Sequence, residues 1–222
     1  EHPRSAQRAR RVRSGWPAEP VDLPAKYSRI KLNRGLRCDL RTGFDRTAAS
    51  TKRPIAVEIF TPTHRVVGIA FPGPAGLYSY MNLRTESYVE LENAELYLVH
   101  RLPEGCERTG RTWLVKSEIA AVLARNRGDL GAAGGTRAGY TRPFPYRVRV
   151  QVGGFEIQGL LESGGRFDFG AVMFEGDSQF VPLQTTQLAA ILFPRVQSTA
   201  PAMLFNRSMV TALTMLPSEP LP

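Results

Sequence analysis

Cysteine is scarce in this sequence, which has only Cys38 and Cys106 among its 222 residues. Two cysteines do not make a disulfide framework, and their spacing matches no metal site. We therefore expect two reduced thiols, with a single disulfide between them as the alternative. A long apolar run is also missing, so a membrane-spanning helix is not expected.

The residues that follow Glu1 contain no apolar segment of the kind found in signal peptides. We expect a cytoplasmic protein on this ground, while a processed leader stays open because the chain does not start with methionine.

Catalytic signatures are lacking as well. The chain has no GxSxG elbow, GxGxxG turn or Walker loop. The FDFG stretch at 167–170 resembles a kinase triplet, but no glycine-rich loop or HRD motif accompanies it, and Lys116 is the only lysine after residue 52. The three histidines, His2, His64 and His100, show no metal-ligand spacing. We expect no catalytic residues, no metal, no cofactor and no enzymatic activity.

One cluster of carboxylates offers the weakest alternative. Asp168, Glu175 and Asp177 bracket the apolar stretch FGAVMF. Carboxylates this close in sequence could bind a cation or work as an acid–base pair, so a hydrolase is kept as a third hypothesis. Loop carboxylates of this kind are usually only solvated.

Positive charge is confined to the start of the chain. Residues 1–53 contain 14 Lys or Arg against 5 Asp or Glu, a net charge of +9, whereas residues 54–222 carry 15 of each sign. Prolines and the lack of periodicity predict an extended arm over 1–53, with short docking strands in its later part. The expected partner-binding residues are Arg8, Arg10, Arg11, Arg13 and Trp16.

The rest of the chain reads as two copies of one pattern. PIAVEIFTPTHRVVG at 54–68 and PYRVRVQVGGFEIQG at 145–159 each alternate through two strands separated by a turn. Further matches extend to WLVKSEIAAVL and LFNRSMVTALT, with Ser117 aligned to Ser208. The predicted division is therefore an arm (1–53), a first unit (54–123), a glycine-rich linker (124–144), a second unit (145–216) and a tail (217–222).

Each unit holds about five short strands in some 70 residues. Strands this short need closure or a partner to protect their edges. The predicted fold is all-β, with two tandem small SH3-like or Sm-like barrels. Gly68 and Gly159 would permit the sharp bend that such barrels require.

The first unit resembles a family of short, uncharacterised bacterial β-rich proteins. The likeness rests on the strand pair around VxVxT..H-x-VxG, on YVELENAELY and on WLVKSEIAAV, and it covers nearly all of 54–123 and, more loosely, 145–216. The resemblance implies a β-rich single unit, here present twice, and no activity. The second unit departs from it at Pro182.

Two functions follow from these patterns. The first is a non-enzymatic structural or adaptor subunit whose arm binds other protein subunits, or further copies of the chain, in a larger assembly. The second is a nucleic-acid-binding protein with the arm on phosphates, because unpaired arginines suit a phosphate backbone. An anionic membrane surface would suit them equally. The expected nucleic-acid contacts on the body are Tyr140, Arg142, Arg147 and Arg149.

Overall fold

The computed structural model describes residues 53–102, 105–132 and 143–217, so all but the last residue of the arm predicted for 1–53 and most of the predicted linker lie outside it. The strands are β1 (Ile55–Phe60), β2 (His64–Ala70), β3 (Tyr88–Leu98), β4 (Glu107–Val115), β5 (Ala121–Ala124), β6 (Phe144–Val152), β7 (Phe155–Ser163), β8 (Phe180–Ala190), β9 (Gln197–Asn206) and β10 (Val210–Met215). Helix α1 (Gly76–Asn82) follows β2, and helix α2 (Phe169–Met173) follows β7. None of the helices in these ranges is long and apolar enough to cross a membrane.

The ten strands of the described residues belong to one open antiparallel sheet. Their order is β10-β6-β7-β8-β9-β5-β1-β2-β3-β4. The predicted all-β class is therefore confirmed. Its finer form, two tandem SH3-like or Sm-like barrels, stays a prediction, because the strands are joined in a single hydrogen-bonded sheet.

The pairing pattern of β1–β5 recurs in β6–β10. In the first strand set (β1–β5), Val57 lies opposite Gly68 and Ala124. In the second strand set (β6–β10), Val148 lies opposite Gly159 and Met215. Each of these residues is 91 positions after its counterpart. Residues of α1 and β3 have their counterparts 92 positions later in the chain. Met81 and Met173, for example, are separated by 92 positions, and both are buried.

Glycine lies at the same irregularity in both strand sets. The register between β2 and β3 shifts between Val67 and Ile69, and that between β7 and β8 shifts between Gln158 and Leu160. Gly68 and Gly159 occupy these shifts. A Cβ on Gly159 would come within 3.0 Å of the Gln184 carbonyl oxygen, which explains why glycine is needed there.

The turn between β6 and β7 also depends on glycine. Gly153 and Gly154 have φ of 54° and 88°, in the left-handed region, which is the conformation that the predicted two-residue hairpin turn requires.

Two hydrophobic cores lie against the sheet. The first contains Val57, Val66 and Leu91 together with the α1 residue Leu77, and the second contains Val148, Val150 and Ile157 among others. Val57 and Val148 are both buried, which confirms that each faces inward. Apolar alternation in β1 and β6 therefore places one side of each strand in a core.

The segment predicted as the start of a linker packs against the body. A 3-10 helix covers Arg127–Leu130, and Leu130 is fully buried in the first core. The remaining part of the glycine-rich stretch, 133–142, lies outside the described residues.

Candidate interaction surfaces

The two strand sets meet where β5 pairs with β9. Ala121 lies opposite Phe205 and Ala124 opposite Ala202, with two further pairs between them. All eight side chains of this central junction are buried. Alternate residues face opposite cores: Val122 and Leu204 lie in the first core, whereas Leu123, Met203 and Phe205 lie in the second.

The second strand set therefore completes the core of the first. Phe180 and Leu204 belong to β8 and β9, yet both are fully buried in the first core. The side chain of Asn82, at the end of α1, accepts a hydrogen bond from the Phe180 backbone N–H (2.7 Å) and donates one to its carbonyl (3.0 Å). Strand β8 of the second set is thus hydrogen-bonded to the helix of the first set.

Asn206 forms hydrogen bonds across the same junction. Its backbone N–H donates to the Ala120 carbonyl at 2.9 Å. Its side-chain amide donates to the Ile119 carbonyl at 2.9 Å, and its side-chain oxygen accepts from the backbone N–H and the hydroxyl of Ser208. Asn206 is fully buried, so these bonds are shielded from water.

A cationic side chain supports the end of each helix, and that of Lys116 is buried. Lys116 donates from Nζ to the carbonyls of Tyr80 (2.7 Å) and Leu83 (3.1 Å), just at the end of α1. Burial lowers the pKa of Lys116 below its ordinary value, while the charge of Glu86 opposes the change. Arg207, the counterpart 91 positions later, donates to the carbonyls of Glu175 and Gly176 after α2. Cations favour the carboxyl ends of helices, so this pair is structural.

Lys116 and Arg207 also line one cavity of about 430 Å³ beside the central junction. Arg84 and Asp177 lie at its rim and form an ion pair across the two strand sets. Because Lys116 and Arg207 already donate to backbone carbonyls, these two cations serve to hold the surrounding segments together.

A second, more open groove of about 820 Å³ runs over β7, β8 and β9. Its lining is rich in amide and hydroxyl groups, from Gln158, Gln184, Thr186 and Thr199, with Arg127 and Arg147 at its border. Thr186 donates its hydroxyl proton to the Ala200 carbonyl at 2.9 Å, which fixes one wall. Such a lining can hydrogen-bond a polar ligand but gathers no catalytic constellation.

The sheet ends at β4 on one side and at β10 on the other. Among the described residues, β4 pairs only with β3, and β10 pairs only with β6. Large apolar side chains are exposed at the β4 side: Trp113 is 56% exposed, and Tyr88 and Val115 are exposed as well. Open strand edges flanked by apolar side chains are pairing sites for another chain.

The predicted site residues fall in different places. Arg147 and Arg149 alternate with the buried valines of β6, as predicted, and Arg149 forms an ion pair with Glu156 at 3.3 Å. Arg147 borders the polar groove. The remaining candidates lie outside the described residues; they are Arg8, Arg10, Arg11, Arg13, Trp16, Tyr140 and Arg142.

The carboxylates of the hydrolase hypothesis have separate partners. Asp168 accepts a hydrogen bond from the Ala171 backbone N–H and caps α2, whereas Asp177 pairs with Arg84. In the described part of the chain, no three His, Cys, Asp or Glu side chains are grouped as metal ligands. Cys106 is an exposed free thiol, and Cys38 lies outside the described residues.

Sequence reasoning missed the central junction and the two open edges. The signals were present, because AAVLA at 120–124 and AMLF at 202–205 are unbroken apolar runs, which are typical of strands buried on both faces. Comparison of the chain with protein families, characterised proteins and solved structures gave no match.

Proposed function

We propose that this chain is a non-enzymatic structural or adaptor subunit that binds other protein subunits through the edges of its sheet. In this proposal β1–β5 and β6–β10 are two tandem small barrels of the SH3-like or Sm-like kind, which share strands at the central junction. The recurring register, with the same bulge at Gly68 and Gly159, supports the tandem arrangement.

One observation carries the functional proposal. Leu204 on β9 is fully buried where β5 covers it, while its counterpart Trp113 on β4 is 56% exposed at an open edge. Removing a side chain as large as tryptophan from water stabilises an interface, and tryptophan is enriched among the residues that dominate binding. A strand from a partner would cover both the edge and the ring.

The basic arm has a supporting role in this proposal. An irregular, arginine-rich segment gains enough contact area by extending over a neighbouring subunit to offset the entropy lost on ordering, roughly 1–2 kcal/mol per residue for the backbone. Its arginines pair with carboxylates along that path.

Nucleic-acid binding is the second candidate, favoured by the polar groove. Its amide and hydroxyl lining and the guanidinium of Arg147 at its border suit phosphate, sugar and base contacts. Because phosphate contacts release counterions, affinity for nucleic acid would fall steeply between about 50 and 200 mM salt.

The test is purification of the full chain from its own cells under native conditions, beside a variant lacking residues 1–25. The proposal expects protein partners with the full chain, fewer with the truncated chain, and an unchanged melting temperature. Recovery of nucleic acid instead, released by moderate salt, would favour the second candidate. Loss of folding on truncation would show that the arm is an internal strap.

A further inference from the structure

The two open edges of the sheet are counterparts of the two strands that pair at its centre. β4 corresponds to β9, and β10 corresponds to β5, by the 91-residue spacing of the recurring register. One pair of these strands is joined within the chain, and, among the residues that the structure describes, the other pair is left open at opposite ends of the sheet. The described part of the chain therefore contains both halves of a second junction, and these two halves are not paired with each other.

The β4 end carries the side chains that such a junction would bury. Phe180 and Leu204 enter the first core from the neighbouring strands and are fully buried. Their counterparts are Tyr88 and Trp113, and both are exposed. The β4 end thus presents two aromatic rings at the positions where the central junction buries its apolar side chains.

The other end exposes the side chains that would receive those rings. On α1, Leu77 is buried in the same core as Phe180 and Leu204, and Asn82 binds the backbone of Phe180. The counterparts are Phe169, the exposed first residue of α2, and Phe174, which directly follows α2 and is 76% exposed. Their rings contact each other edge to face, with centroids 5.8 Å apart. Two uncovered aromatic patches therefore lie at the two ends that the recurring register relates.

We propose that β10 of one copy pairs antiparallel with β4 of a second copy of this chain, in the register of the central junction. Transferring the β5–β9 register places Leu114 opposite Ala212, Trp113 opposite Leu213 and Thr112 opposite Thr214. Tyr88 and Trp113 of one copy then cover the α2 aromatic patch of the next. This inference rests on the proposed function and names the partner as the chain itself.

The contact is head-to-tail, because each copy uses a different surface. A contact of this type generates closed rings or open filaments, and it leaves no β4-to-β4 pair. Both uncovered patches are buried by the same repeated step, which removes the open edges that a strand at the end of a sheet otherwise presents.

Cysteine cross-linking tests this register. Asn206 N–H bonds to the Ala120 carbonyl, so Leu123 and Met203 form a non-hydrogen-bonded pair, in which the side chains lie closest. Thr214 and Thr112 would occupy the equivalent pair. In a background with Cys38→Ser and Cys106→Ser, the full chain carrying Thr112→Cys is mixed with the full chain carrying Thr214→Cys and oxidised.

The expected result is a covalent dimer in the mixture and at least about tenfold less in either protein alone. A chain with both substitutions should give a ladder of oligomers or a closed ring. The register control is Met215→Cys in place of Thr214→Cys, which should cross-link poorly because neighbouring residues of a strand point to opposite faces.

A second measurement is the mass of the unmodified chain in solution at several concentrations. We expect multiples of the chain, and Trp113→Asp should shift them to monomer, while Leu192→Asp at another exposed apolar site should not. Melting curves check that both variants fold. A monomer at every concentration, or a dominant Thr112–Thr112 cross-link, would overturn the inference. Capture of a different protein by a chain that stays monomeric would overturn it while leaving the proposed function intact.

Discussion

Replacing Asn206 by alanine probes the polar ties of the central junction. The side chain is fully buried and donates to the Ile119 carbonyl at 2.9 Å, while its oxygen holds the backbone N–H of Ser208 at 3.1 Å and its hydroxyl at 2.6 Å. Alanine cannot replace these bonds, so the Ile119 carbonyl loses a partner in a place where water does not reach it.

The magnitude follows from the number of groups left without partners. A buried acceptor without its donor costs about 1–3 kcal/mol, and the loss of the bonds to Ser208, which is more accessible to water, adds about 1 kcal/mol. The expected decrease in the free energy of unfolding is about 2–4 kcal/mol. For a chain of this length, that corresponds to roughly 5–15 °C in melting temperature.

Urea unfolding, followed by circular dichroism, measures this change as a lower midpoint with an unchanged slope. Ser208→Ala is the matched control, because it removes one hydroxyl and leaves the bond between Asn206 and Ile119; it should cost under about 1 kcal/mol. A decrease below about 0.5 kcal/mol for Asn206→Ala, or equal effects of the two substitutions, would refute the assignment of Asn206 as a buried tie.

Further substitutions test three other parts of the fold. Gly159→Ala should destabilise by about 1–3 kcal/mol and Gly68→Ala by less, because the added Cβ would meet its nearest neighbour at 2.9 Å in the first case and at 3.2 Å in the second; equal urea midpoints would contradict this. Lys116→Met should remove support from two carbonyls, whereas Lys116→Arg should preserve it. In the folded state the pKa of Lys116 is below its usual 10.5, so the unfolded state binds more protons at pH values just below 10.5. The stability of the parent chain should therefore rise with pH in that range, and it should rise more than the stability of Lys116→Met. Unfolding measured at several alkaline pH values would reveal this difference. Val57→Asp and Val148→Asp should each cost several kcal/mol, because both place an unpaired charge in a core; an unchanged melting curve for either would disprove its burial.

Several features could be read from the sequence because they depend on neighbours along the chain. Alternation of apolar residues specified the strands and the inward faces of Val57 and Val148. Gly153-Gly154 specified the hairpin turn, because a two-residue turn of this kind requires positive φ. The equal spacing of the two patterns matched the counterparts observed in the register, including the glycines at the two bulges.

Other features were decided only in three dimensions. Strand pairing between distant segments depends on which edges meet, and nothing in a local pattern states that β5, which pairs with β1 of its own strand set, also pairs with β9 of the other set. The same holds for Lys116 and the carboxylates: their partners are backbone groups and side chains brought close by folding, so their residue types alone indicated neither a support for α1 nor an ion pair with Arg84.

The sequence by itself thus determined the strands, their turns and their faces, since these follow from side-chain period and backbone conformation over a few residues. The tertiary structure decided how the two strand sets join and which edges stay open in the described part of the chain. Those two properties depend on long-range strand pairing, whose partners in β5 and β9 are separated by 78 to 84 residues. The exposed ring of Trp113 became a candidate for binding only once its counterpart Leu204 was found to be buried. The exposed ring of Phe174 became one only once its counterpart Asn82 was found to bind the backbone of buried Phe180.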